Sequence, residues 1–539
     1  MANSPSILNS TSLALAWLQR VHASEHATAL LYEDQTWSFS QLHALALNMS
    51  SQLNSRQLRH GERLILMMDN GPGFIAAFFA AQMMGLVPVP ISPRSSVARL
   101  RYVLKDCGAA LILVDDTVSE RVVQQHASQD YAPHLMKVLL ELDHKATDRS
   151  LAPSPLCAFI QYTSGSSGEA KGVMISHQAA LSNIRGFSAA MDLQSGDSFS
   201  SMLPLFHDMG LLCFCLAPLL LGHTLVLYRA ESLQIYRWLE DIEKHQVRIT
   251  GAPDSLLQIA NRVVGEAHSY SLHSLRMLIC GSEPVRRESI LAFGHRFNAS
   301  HAIAPAYGMA ELSLCVSLTP AYDKARINSR GQVASGLAID QVSVRILDEN
   351  DFPTTEPGIC GEILVRSPAV MMGYWGKPES SALAFDDHGY FKTGDLGFLD
   401  EDGYLYVVGR LKNLLVRAGE KYSAHDIESV AQQIDGVRRA AVVQSEDCQG
   451  TIFAVLEVDR RMLTDTTSLQ QITQSVKRRA FAAVGLAPDR CGFVASGDLP
   501  CTENGKLRHA TLRAKIDASD FKAVWSHQLE SCADAVAVD

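Results

Sequence analysis

A layered α/β fold with largely parallel sheets, followed by a small α+β body, is what this 539-residue sequence predicts. Three observations carry that expectation. Short apolar runs alternate with helix-length segments through the first half of the chain. From about residue 332 the pattern tightens into short strands and turns. Near residue 411 it changes again, to apolar strands flanking an amphipathic helix. A chain this long exceeds what one core usually serves, so more than one domain is expected.

The elements follow in order. Residues 64–68 read as a strand, 73–84 as an apolar helix and 87–91 as extended chain, and the strand pattern returns at 111–114 and 277–280. The run 159–163 reads as a buried strand. Extended pattern resumes at 173–175, and Ser176 is placed to cap a helix beginning near His177. Residues 211–228 form a long uncharged run broken by Pro218, Gly222 and His223, which reads as a buried helix and then a strand at 224–228 rather than a membrane span. Strands at 342–347, 361–365 and 404–408 suggest a β-rich subdomain. Beyond them, 439–443, 452–458 and 492–494 read as strands and 469–484 as an amphipathic helix. The expected division is therefore residues 1–410 as a large N-terminal domain and 411–539 as a small C-terminal one. The join at 409–412 is short and polar, more a hinge than a tether, and the chain beyond about 526 is expected to fray.

Composition excludes several classes. At 47% hydrophobic and 19% charged the chain is ordinary for a soluble enzyme. A formal net charge of −10 argues against a dedicated nucleic-acid or anionic-membrane surface. Eleven cysteines without a CxxC pair, and no basic segment ahead of Arg20, point to reduced thiols in the cytoplasm.

Chemistry concentrates first at residues 162–172, Tyr-Thr-Ser-Gly-Ser-Ser-Gly-Glu-Ala-Lys-Gly. Thr163, Ser164, Ser166 and Ser167 supply hydroxyl donors, Gly165 and Gly168 let backbone N–H groups approach an anion, and Lys171 adds a compact positive charge. That composition suits a phosphate cradle, and equally a Ser/Gly-rich surface turn. It is not a Walker A loop, since Lys171 is followed by Gly172 rather than Ser or Thr. Four other segments have two readings each. In residues 306–311, Tyr307 offers a ring to a purine and Glu311 a carboxylate to Mg²⁺, around Gly308 and Met309, or the segment is simply a helix start. Asp395, read as lying in a turn after a strand, suits two ribose hydroxyls or an Asx turn. Arg410 suits ribose and phosphate or a surface ion pair. Lys506 sits in the polar turn 502–506, where a solvated lysine is the default.

Taken together and in this order, these motifs resemble the adenylate-forming superfamily of acyl-CoA ligases, luciferases and peptide-synthetase adenylation domains, over nearly the whole length. The resemblance implies ATP and Mg²⁺ as cofactors. It implies that residues 163–171 wrap the β- and γ-phosphates, that Tyr307 stacks on adenine beside Gly308 and Met309, and that Glu311 associates with Mg²⁺. Asp395 and Arg410 would hold the ribose, and Gly281, Ser282 and Glu283 would also border the nucleotide. Lys506 would bridge the substrate carboxylate and the α-phosphate, Lys412 would be the hinge, and residues 417–422 would swing in for thioester formation. Within the superfamily, residues 203–211 (Leu-Pro-Leu-Phe-His-Asp-Met-Gly-Leu) and 281–286 (Gly-Ser-Glu-Pro-Val-Arg) look most like the fatty acyl-AMP ligases, which pass an acyl group to a separate acyl carrier protein. His207, Asp208 and Gly308 would then meet the acid, with 211–221 suiting an apolar pocket wall. Residues 312–394 are shorter than that branch usually carries, and 418–422 read Ala-Gly-Glu-Lys-Tyr instead of its Arg-Gly-Arg-Asn wording. Coenzyme A therefore stands beside the carrier protein as acceptor. Asp208 also keeps open an amino acid as substrate, because amino-acid-activating relatives place a carboxylate there.

Overall fold

The computed structural model describes residues 7–116, 118, 135–137, 151–163, 170–230, 234–265, 268–417, 420–446, 450–501 and 507–525. The expected α/β architecture is present. A nine-stranded sheet has a parallel centre, in which Thr28–Tyr32, Thr224–Leu227, Ser198–Ser201, Ile249–Gly251, Met277–Cys280 and Ile303–Gly308 run side by side. A second parallel sheet pairs Val87–Ile91, Arg63–Met67, Leu111–Val114 and Leu135–Lys137. The helix Pro72–Met83 is buried at every position. That explains its apolar residues on all sides, since a helix with no polar face has to be covered all round. The β-rich region is a five-stranded antiparallel sheet that includes Ser343–Leu347, Gly361–Arg366, Phe391–Leu399 and Leu405–Arg410.

Two local features differ from expectation, each for a legible reason. The segment Met209–Leu216 is a π-helix, continued by a short α-helix Ala217–Leu221. Asp208 Oδ1 accepts from Met209 N at its start. Gly210 crosses so close to the Pro204 carbonyl that a Cβ there would stand 2.1 Å from the oxygen. No other residue type fits without moving the backbone. Asp395 lies inside the strand Phe391–Leu399 rather than in a turn. The turn-like wording reflects Gly394, at φ 69°, which falls at a register shift in the ladder to Gly361–Arg366.

The apolar cores are separate. Four clusters draw only on residues up to 407, whereas two others draw only on Leu415 and beyond, around the sheet containing Val437–Gln444, Ile452–Val458 and Arg490–Ala495. Among the described residues no helix is long and apolar enough to cross a membrane.

Ser176 caps the helix His177–Ala190 as expected, accepting from Ala179 N. His177 is buried, and its Nδ1 accepts from Leu13 N at 3.2 Å. Desolvation pushes its pKa down to about 4. A histidine depressed in the folded state contributes stability that is full above the unfolded pKa near 6.5 and is lost as pH falls through about 4. The displacement corresponds to stability on the order of 3 kcal/mol. Urea unfolding at pH 7 and pH 4.5 should show that loss in the parent protein. His177→Gln, which retains an acceptor for Leu13 N, should show less of it.

Candidate functional site

One cavity of about 560 Å³ gathers most of the described candidates. That volume falls within the usual range for small-molecule sites. The Cys157–Thr163 and Lys171–Ser176 strands form an antiparallel pair, with Thr163 opposite Lys171, so the ends of the Ser/Gly-rich segment meet at the cavity wall. Helix Val97–Cys107 grips both ends as well: Asp106 accepts from the Tyr162 hydroxyl at 2.6 Å, and the Tyr102 hydroxyl donates to Ala170 O at 2.7 Å. Ser164, Gly165, Ser166, Ser167 and Gly168 themselves lie outside the described residues, as does Lys506.

Tyr307, Gly308, Met309 and Glu311 line the cavity where the Ile303–Gly308 strand passes into a short 3-10 turn. Gly308 is required there, because a Cβ would stand 1.7 Å from Leu314 O. Burial raises the Glu311 pKa, while the Tyr374 hydroxyl, donating to Oε1 at 3.1 Å, works against the rise. Lys171 Nζ sits 4.5 Å from the centre of the same Tyr374 ring. Tyr374 thus joins the lysine and the carboxylate, and the sequence carried no sign of it, since its two-residue strand meets Lys171–Ser176 across some two hundred residues of chain.

Asp395 is 4% exposed and stands behind the wall rather than on it. Its Oδ2 accepts from the Tyr307 hydroxyl and its Oδ1 from Arg410 Nε, both at 2.8 Å. Burial, followed by the neighbouring Asp395 charge, pushes the Tyr307 phenol well above its ordinary pKa, which keeps the phenol a donor. The backbone around Asp395 is pinned by Gly394 N donating to Glu362 Oε1 at 2.8 Å and by Asp395 N donating to Thr393 Oγ1 at 3.1 Å. Arg410 reaches the cavity. So does Lys412, from the 3-10 turn Leu411–Asn413. Burial and the nearby Arg410 lower the Lys412 pKa, and Lys171 acts in the same direction. The residue expected only as a hinge therefore also lends charge to the cavity.

Gly281 and Ser282 line the cavity but Glu283 does not. Its carboxylate accepts from Ser255 N at 3.0 Å and Ser255 Oγ at 3.1 Å, covering the start of the helix Asp254–Val263. His207 and Asp208 both line the cavity, with Phe206 beside them. Phe187, Met191, Ile279, Cys213, Cys315 and Leu318 add an apolar lining. Within 211–221 only Cys213 faces it; the leucines of that run are core. Cys501 and Arg508, from the C-terminal sheet region, also reach the cavity.

With this geometry in view, the comparisons are consistent. The sequence profile of the AMP-binding enzymes matches residues 18–375. The chain belongs to the AMP-binding enzyme family. It is 30% identical over 528 residues to the long-chain-fatty-acid–AMP ligase FadD23 of Mycobacterium tuberculosis, spanning 89% of this chain and 90% of the relative. It is also 30% identical over 543 residues to the long-chain-fatty-acid–AMP ligase FadD26 of Mycobacterium marinum, spanning 90% and 92%. A solved chain from studies of fatty acyl-adenylate ligases of E. coli and L. pneumophila superposes with a TM-score of 0.83 at 25% identity, covering 95% of this chain and 99% of that one. The McyG A-PCP structure with phenylalanyl-adenylate shares the fold, with a TM-score of 0.84 at 22% identity over 98% of each chain.

Proposed function

We propose that this protein activates a fatty acid with ATP, forming an acyl-adenylate and releasing pyrophosphate, and then passes the acyl group to the phosphopantetheine thiol of a separate acyl carrier protein. The observation that carries the reading is one cavity lined both by Lys171, Arg410, Lys412 and Glu311 and by Phe187, Met191, Cys213 and Leu318. A nucleotide and an apolar acid both find suitable walls there, and two relatives at 30% identity are named as long-chain-fatty-acid–AMP ligases.

In the first step a carboxylate oxygen attacks the α-phosphorus and the bond to the pyrophosphate oxygen breaks. Anions converge, so the main demands are alignment and neutralisation of charge. Lys171 and the turn 163–171 are assigned to the leaving pyrophosphate, Lys506 to the α-phosphate and the attacking carboxylate, and His207 to the acid beside it. Tyr307 is assigned to adenine, with Gly281, Ser282, Gly308 and Met309 bordering the base. Asp395, acting together with Tyr307 and Arg410, is assigned to the ribose side. Glu311 fits Mg²⁺: it is a partly buried carboxylate lining the cavity, in a setting that disfavours an uncompensated negative charge. Bound there, Mg²⁺ would neutralise phosphate charge. In the second step a thiol attacks the acyl carbonyl and AMP leaves. We take residues 1–410 as the domain that binds both substrates and 411–539 as the domain that rearranges between steps about Lys412. The cysteine usage, with Cys107, Cys157, Cys280 and Cys491 buried as thiols, supports a reducing cytoplasmic setting.

The carboxylate of Asp208, bonded to the Met209 amide, has a structural task that needs no substrate ammonium. This favours an acyl chain over an amino acid. Incubation with ATP, a fatty acid and either holo-acyl carrier protein or coenzyme A, followed by mass spectrometry, tests the acceptor. The expected product is acyl-carrier protein. Acyl-CoA formed at the faster rate would overturn the acceptor assignment.

A further inference from the structure

Among the described residues the two groups of apolar cores share no residue, and polar contacts run between them. Bodies joined mainly by polar contacts move relative to one another unless something pins them. The helix Ala424–Gln432 is placed to do this. At its C-terminal end, Gln432 Oε1 accepts from Arg286 Nη1 at 2.9 Å. Arg286 is itself fixed on the N-terminal side, with Nε on Asp254 Oδ2 at 2.9 Å and its backbone N on Asp254 Oδ1 at 3.1 Å. Asp254 is 1% exposed, so the guanidinium is presented from a rigid base. Nearer the start of the helix, Arg330 is close enough to Asp426 to oppose the rise that burial imposes on that carboxyl.

The opposite connections of this helix lead back to the cavity. Glu428 Oε1 accepts from Val442 N at 2.8 Å and pairs with His509 Nε2 at 2.6 Å. His509 follows Arg508, which lines the cavity. Further along the helix His509–Asp517, Arg513 Nη2 donates to the carbonyl of Lys412, a second cavity residue, at 3.1 Å. One short helix therefore connects a fixed arginine of the large body to two cationic residues contributed by, or adjoining, the small one.

We infer that the Arg286–Gln432 contact is a latch that holds the small body in the arrangement placing Arg508 and Lys412 at the cavity, and that it must open for the acceptor thiol to reach the acyl carbonyl. Gln432 is thus a positioning residue for adenylation and opposes transfer. The inference rests on the two-step reading above.

Gln432→Ala removes the acceptor and leaves the Arg286–Asp254 pair intact, while Gln432→Glu keeps an acceptor and gives it a charge. Loss of a hydrogen bond to a charged group predicts that Gln432→Ala slows dodecanoate-dependent pyrophosphate exchange by about five- to tenfold. Transfer from preformed dodecanoyl-adenylate to pantetheine should be unchanged or faster. Gln432→Glu should restore exchange and slow transfer. The substrate-free enzyme gives a readout that needs no turnover: trypsin should cut after Lys412 faster in Gln432→Ala than in the parent, and no faster in Gln432→Glu. Equal loss in both half-reactions, or unchanged cleavage after Lys412, overturns the latch. A parent enzyme that exchanges with no acid, yet shows the cleavage pattern, overturns the two-step reading and leaves the latch standing.

Discussion

Lys506→Ala is expected to reduce acyl-adenylate formation by about 10²–10³-fold, the usual cost of removing one preorganised donor to developing charge. ATP affinity should change little. The argument comes from the surroundings. Cys501 and Leu507 form an isolated antiparallel bridge. Cys501 and Arg508, on either side of Lys506 in the sequence, both line the cavity. Arg508 and Lys412 also line that cavity, and Lys506 precedes Arg508 by two positions in the sequence, so the lysine assigned to the α-phosphate would be one positive charge of a set. Pyrophosphate release at the parent rate would contradict the role. Transfer from preformed acyl-adenylate should survive the substitution, because attack of a thiol on a carbonyl does not require neutralising a triphosphate.

The second large effect is expected from Asp395→Asn. The carboxylate is almost wholly buried and holds two donors, the Tyr307 hydroxyl and Arg410 Nε. An amide of the same shape turns one acceptor into a donor facing Arg410, and it removes the charge that orients the guanidinium. Arg410 is half exposed, which limits the electrostatic share of the loss. Hydrogen bonds to charged groups are worth about 1.5–3 kcal/mol, so the KM for ATP should rise by about 10- to 100-fold. The KM for the acid should stay close to that of the parent. Equal increases for both substrates would mean that the substitution had disturbed the whole cavity rather than the nucleotide side.

Much of the fold was legible because its elements are apolar runs of distinctive length. The buried strands Leu111–Val114, Met277–Cys280 and Ile452–Val458 fall where the pattern put them. The Met209–Leu216 π-helix was not legible. Its apolar pattern matches an α-helix, and the difference arises from the approach of Gly210 to a carbonyl six residues earlier. Asp395 was misplaced into a turn because glycine and threonine signal turns, whereas here they mark an irregularity inside a strand. At the site, residues carried by local wording were found: Thr163, Lys171, His207, Asp208, Ser282, Tyr307, Glu311 and Arg410 all reach one cavity. Those that come to it through long-range pairing were missed. Tyr374 arrives by a strand pairing distant in sequence, and Arg508 by the docking of a separately cored body, whereas Lys412, expected as the hinge, reaches the cavity as well. Glu283 shows the converse: its motif borders the cavity, but its side chain turns to a helix end.

The most direct measurement is ATP–pyrophosphate exchange with the purified protein and Mg²⁺ across saturated fatty acids of graded length, aromatic acids and amino acids. Exchange stimulated by fatty acids and by neither of the other groups is the predicted result. Exchange driven by an amino acid or an aromatic acid and not by any fatty acid would contradict it.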